Sequence, residues 1–122
     1  MTTIIAHIIT ALVAIEHIYI LWMEMFAWET AGKKTFKTIP EDLFGSTKGL
    51  AANQGLYNGF LAAGLIWSFF ISDPAWMANV RIFFLACVAV AGIFGAITAS
   101  RKIFFVQALP AIIGLIVVLA SR

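Results

Sequence analysis

Four apolar stretches, at about residues 3–28, 50–72, 76–100 and 103–120, leave this chain few ways to fold. Crossing bilayer hydrocarbon takes about 20 mostly apolar residues in a helix. Backbone N–H and C=O groups find no partner in hydrocarbon, so a crossing segment must satisfy them internally, and runs of this length do so as α-helices. Between the stretches there is too little polar chain to build a soluble core. Hydrophobic residues make up 62% of the chain and charged ones 11%, with mean hydropathy +0.99. Soluble domains run at roughly 45–50% and about 25%. The expectation is an all-α integral membrane four-transmembrane-helix bundle. It would be one membrane domain over residues 1–122, multi-pass in the cell (plasma or inner) membrane. Met1-Thr2-Thr3 has neither a basic n-region nor a cleavage motif, so the first stretch reads as a retained helix.

Charge distribution sets an expected topology. Residues 29–49 form the long loop, with Lys33, Lys34, Lys37 and Lys48, and Arg101-Lys102 separates the last two stretches. Four crossings put both on one side, leaving Arg81 and Arg122 for the other. The positive-inside rule then makes the long loop cytoplasmic and both termini non-cytoplasmic. Basic residues are few and lie beside membrane segments, which speaks against a nucleic-acid partner. The single Cys87 cannot form an intrachain disulfide.

Within the loop, Thr38-Ile39-Pro40-Glu41 has the form of a capping box. It would start a short helix through Asp42-Leu43-Phe44, ended by Gly45, with Phe36, Ile39 and Phe44 in the membrane interface. An irregular loop with snorkelling lysines is the alternative. Small residues recur every four positions at Gly55, Gly59 and Ala63, and at Gly92 and Ala96 with Ala99 beyond. Such stripes let helices approach closely in lipid. They would serve packing inside the bundle, or a homodimer through the Gly55/Gly59 or Gly92/Ala96 face. Pro110 is expected to kink the last helix and free the Val106 carbonyl.

The first helix carries Glu16, His17 and Glu24 inside an apolar run. An ionised group at a helix centre costs about 2.5–3.5 kcal/mol on insertion scales, so these acids must be neutral, paired or wetted. At 3.6 residues per turn, Thr10, His17 and Glu24 share a face, and Glu16 is rotated by about 100°. His17 and Glu24 lie ~10 Å apart along the axis and need a bridge to communicate. The second helix brings Asn53, Gln54, Tyr57 and Asn58 to the depth of Glu24, the third brings Thr98, and the fourth Gln107. His7, Thr10 and Arg81 belong to an otherwise featureless outer half, with His7 read as a solvated interface residue. Trp67, Phe69 and Phe70 could wall a cavity or simply meet lipid. His7 and His17 are ~15 Å apart on one helix and no further ligands join them, so no metal is expected. No cofactor is expected either.

Residues 17–28 (His-Ile-Tyr-Ile-Leu-Trp-Met-Glu-Met-Phe-Ala-Trp) and 53–65 (Asn-Gln-Gly-Leu-Tyr-Asn-Gly-Phe-Leu-Ala-Ala-Gly-Leu) resemble the DUF1304 family of small membrane proteins. The resemblance covers essentially the whole chain. It implies four spans and carries over no catalytic assignment. Glu16 is also similar to the midplane glutamate of small multidrug exporters, whose third-helix glycine and tryptophan pattern is missing here. Sterol-isomerase-type bundles offer an analogy of chemistry alone.

Three readings of function follow. The first is a pocket in the cytoplasmic half for a lipophilic small molecule or lipid. Glu24 and His17 would act as acid and base, and Asn53, Gln54, Tyr57, Asn58, Glu16 and Gln107 would bind the ligand. The second is an oligomeric proton-coupled transporter working through Glu16 or Glu24, which proton flux in vesicles would expose. The third is an accessory subunit docking through its lysines, which co-purification of a partner would expose.

Overall fold

The computed structural model describes all 122 residues, and every regular element in it is helical. Four long α-helices carry the fold: α1 (Thr2–Phe26), α2 (Lys48–Ser68), α3 (Pro74–Thr98) and α4 (Leu109–Ser121). Three helical stretches are long and apolar enough to cross a membrane: Thr2–Phe26, Pro74–Thr98 and Arg101–Ser121. With 21 residues α2 has the length, but Asn53, Gln54 and Asn58 dilute its hydropathy.

The exposed surface has the composition of helices that meet lipid. Ile4, Ile8, Leu12, Ile15, Trp22 and Phe26 form an outward stripe on α1, and Phe83, Val90, Phe94 and Ile97 form another on α3. Both follow the three-to-four-residue helical repeat. A water-soluble helix puts charged and polar side chains there, whereas hydrocarbon favours the residues actually present.

Contacts divide the chain into two compact units, Met1–Ile15 with Leu61–Arg122, and Glu16–Phe60. In the first, a core of Ala6, Val13, Ala14, Leu65, Leu85, Val88, Ala89, Ala111 and Val118 is surrounded by half-buried Ile9, Leu61, Ile82, Phe84 and Ile112. Glycines fix how near the helices come. A Cβ on Gly64 would strike the ring of Phe84, one on Gly114 would meet Ile9 and Leu85, and one on Gly92 would run into the backbone of Ala108. The second-helix stripe therefore turns from Gly59 onto Gly64, and Ala63 is left exposed.

Helix α3 starts where its sequence dictates. The Asp73 carboxylate accepts from Trp76 N–H at 3.1 Å, and Pro74 occupies the first turn, where a missing N–H costs nothing. At the other end, Ala99 and Ser100 N–H both donate to Gly95 O, and Ser100 Oγ accepts from Lys102 N–H to begin the next turn. The expected kink at Pro110 takes another form. Residues Phe104–Ala108 wind as a π-helix, with Leu109 N–H donating to Phe104 O. The wider turn lets the chain absorb a proline that cannot donate to Val106 and stay helical.

The second unit contains an antiparallel helix pair and a folded loop. Gly55 lies against Glu24 and Met25, and Gly59 against Leu21, so both glycines are occupied inside the chain. A homodimer through that face would compete with this packing. In the loop, Trp28 stacks on Phe36 and Phe44, with centroids 5.5 and 4.9 Å apart, and its indole N–H donates to Thr47 Oγ1 at 3.0 Å. Phe44 is fully buried against Trp28 and Ala51, with Ile39 beside them. This corrects the expectation that Phe44 lies in the membrane interface. The capping box does not form either. Pro40 precedes a single 3-10 turn, Glu41–Leu43, which has no side-chain cap. Burial of Phe44 under Trp28 outweighs what one cap supplies, about 1 kcal/mol.

Gly92 and Gly49 give a paired test. Gly92→Ala presses a methyl onto the Ala108 backbone and should cost about 1–3 kcal/mol. Gly49 is exposed with nothing within 4 Å of a new Cβ, and Gly49→Ala should stabilise α2 by up to ~1 kcal/mol. Thermal unfolding in detergent should move in opposite directions, and a shared direction would refute this account of the glycines.

Candidate functional site

Helix α1 buries Ala6, Thr10, Val13, Ala14, His17, Ile20 and Met23, spaced as one helical face. His17 is 1% exposed. Glu16 is half-buried, and its Oε1 lies 3.8 Å from His17 Nδ1, which is ion-pair range and too long for a hydrogen bond. The rotation between neighbours was expected to send Glu16 elsewhere. A glutamate arm has three rotatable bonds, enough to swing back across that step.

Glu24 is tied to α2. Asn58 Nδ2 donates to Glu24 Oε1 at 2.7 Å and also to Gln54 O at 3.0 Å. Gly55 makes this possible, since its missing side chain lets α2 close on the Cβ of Glu24. The rest of the expected constellation disperses. Asn53, Gln54 and Tyr57 are exposed, and Tyr57 rests on Phe60. Gln107 is half-buried within the π-helical turn, and Thr98 Oγ1 donates to the Phe94 carbonyl of its own helix. Of the second-helix group, the structure joins Asn58 alone to Glu24. Seven residues of helix, ~10 Å of rise, separate Glu24 from His17.

A different polar cluster lies in the first unit, where the sequence suggested little. Arg81 is 3% exposed. Its Nε donates to Ser68 Oγ at 2.9 Å, and Ser68 passes its own proton to Leu65 O at 2.6 Å. Its Nη1 lies 2.7 Å from His7 Nδ1. A guanidinium has no acceptor, so His7 Nδ1 must accept here, and the neutral ring keeps its proton on Nε2. The guanidinium carbon sits 4.4 Å above the Phe69 ring, and Phe69 also packs on His7, with centroids 5.8 Å apart. Arg81 Nη2 is buried and has no hydrogen-bond partner.

Beside this cluster is a cavity of about 340 Å³, lined by Thr3, Ala6 and His7 from α1, Ala75, Ala78 and Arg81 from α3, and residues at the end of α4. Its walls are mainly apolar, with Arg81 and His7 as convergent polar groups, the usual composition of a small-molecule site. His7, half-buried, is therefore an acceptor held by Arg81, a partnership the sequence did not suggest. The sequence did hold a signal for this site. An arginine lies well inside a membrane-length apolar run, and intramembrane charges default to function. Pairing Arg81 with Ser68 and His7 needed the fold.

These features define a small helical membrane protein with buried polar groups on facing helices. The chain belongs to the family described as "Protein of unknown function (DUF1304)", whose model matches residues 11–119. It is 38% identical over 118 residues to the "Uncharacterized protein YpaA" of Lactococcus lactis subsp. lactis (strain IL1403), covering 93% of this chain and 96% of that protein. No solved structure matches it.

Asn58→Leu removes the donor to Glu24 and should destabilise the helix pair by about 0.6–1.7 kcal/mol, the span measured for interhelical bonds in membranes. Glu24→Gln keeps an acceptor oxygen and should cost less. Unfolding titrations in detergent rank the two, and an unchanged Asn58→Leu would show that the bond does not tie the helices.

Proposed function

We propose that the protein is a four-span membrane protein that receives a lipophilic small molecule or lipid in the cavity beside Arg81 and His7. The carrying observation is the cavity, about 340 Å³ with mainly apolar walls and a buried guanidinium at its edge. That volume falls in the range of ~300–1,000 Å³ usual for ligand sites. The ligand site thus moves from the Glu24 half, where composition suggested it, to the end of the first unit where α1 and α3 begin and α4 ends. The Glu24–Asn58 bond is accounted for as a helix tie.

In this reading α2 is the second crossing. Asn58 is tolerable there because it and Glu24 satisfy each other. The loop with Lys33, Lys34, Lys37 and Lys48, and the Arg101-Lys102 turn, face the cytoplasm by charge bias. The cavity then opens near the opposite face. Cysteine labelling tests the topology. In a Cys87→Ser background, Ser72→Cys should react with a membrane-impermeant maleimide on intact cells, and Ser46→Cys only after lysis. The reverse pattern would overturn the orientation.

Native mass spectrometry of the protein in lipid nanodiscs tests the ligand reading. A bound amphiphile near one per chain is expected, and Ala75→Phe, which fills the cavity from an exposed position of α3, should displace it. Protein that carries nothing, or carries the same lipid in Ala75→Phe, would sink the proposal.

A further inference from the structure

The cavity's charge balance narrows its ligand. Arg81 is buried at 3% exposure, yet it forms no ion pair with any carboxylate. Of the six acids in the chain, Asp73 alone belongs to the same contact unit, and its carboxylate caps α3 on Trp76 N–H. A buried guanidinium left without a counter-charge is strongly unfavourable. Its present partners are all neutral: the Ser68 hydroxyl, the His7 ring nitrogen and the face of Phe69. They engage Nε and Nη1 and leave Nη2 with no partner, although guanidinium N–H groups are obligate donors. The neutral His7 contributes a further N–H on Nε2, and His7 and Arg122 both line the same cavity. The site therefore presents donors and the Arg81 charge, with no acidic side chain to neutralise it.

The geometry points to an anionic amphiphile as the occupant: a carboxylate or phosphate head held where Arg81 and His7 line the cavity. Its apolar tail would run along Ala6, Ala75, Ala78 and Val118. This rests on the ligand reading above and adds the charge of the head. An oxyanion supplies the counter-charge that a guanidinium lacks here. Ser68 and Phe69 hold the guanidinium in orientation before the ligand arrives, so little freedom is lost on binding. The volume takes about eleven water-sized groups. It therefore suits a head and a short length of chain, and a longer tail must leave along the apolar helix surfaces.

Probes with one tail and different heads test this in neutral-detergent micelles. Dodecanoate, dodecyl phosphate, dodecanol and inorganic phosphate are compared by thermal shift and titration. Dodecanoate, dodecyl phosphate or both should raise the unfolding midpoint, and which of them does so separates a fatty-acid source from a phosphate-headed lipid. Dodecanol and inorganic phosphate should be without effect. Arg81→Gln should weaken binding roughly tenfold or more, the worth of one charge-assisted contact. If that variant does not fold, Ala75→Phe keeps Arg81 and should abolish the shift by occupying the space. Dodecanol binding as well as dodecanoate would overturn the anionic head and leave the ligand reading standing. A full shift from inorganic phosphate alone would overturn the tail. If no probe, charged or neutral, binds, and the nanodisc preparation carries nothing, both readings fall.

Discussion

Helices in hydrocarbon gain nothing by hiding apolar side chains from one another, since lipid tails are as apolar as leucine. Whatever holds this chain together must come from close van der Waals approach and a few polar contacts. Glycine permits the approach. Gly55 and Gly59 admit α1, Gly64 admits Phe84, and Gly92 admits the backbone of Ala108. The polar contacts follow from it, because Asn58 has a short side chain and reaches Glu24 only where Gly55 has let the helices close. Outside these contacts the surface is left to isoleucine, phenylalanine and leucine, the residues lipid solvates well.

The same scarcity of water explains why the polar groups come in sets. Burying a polar group without a partner costs far more than a hydrogen bond returns. Glu24 finds Asn58, Trp28 finds Thr47, and Ser68 both donates to its own helix and accepts from Arg81. Thr10 Oγ1, Glu16 Oε1 and Arg81 Nη2 depart from this economy, each buried without a hydrogen-bond partner, and Arg81 also has no acidic side chain paired with its charge.

Much of the helical framework was legible from residue order. Asp73-Pro74 starts α3 through a cap and a first-turn proline, and the basic pair Arg101-Lys102 marks the next break. The π-helical turn was not legible. A proline announces that the α-ladder will be interrupted without saying whether the chain bends or widens, and Phe104–Ala108 widens. Phe44 was misjudged because a loop phenylalanine beside a membrane can anchor in the interface or fold back. The decision fell to Trp28, sixteen residues away. The contact between Glu24 and Asn58 was legible through depth along their helices. Asn53, Gln54 and Tyr57 share that depth but project outward, and depth carries no information about azimuth.

By itself, the sequence determined that this chain is helical and built for lipid, since apolar runs of that length have no other way to satisfy their backbone. It also determined which residues of the first helix would be costly to bury: Glu16, His17 and Glu24. The tertiary structure decided what those residues do. Partnership depends on which helix faces meet, and small residues far from each polar group set that. So Glu24 became a tie to Asn58, Glu16 turned back toward His17, and Arg81 was set on Ser68, Phe69 and His7 with one buried nitrogen unmet.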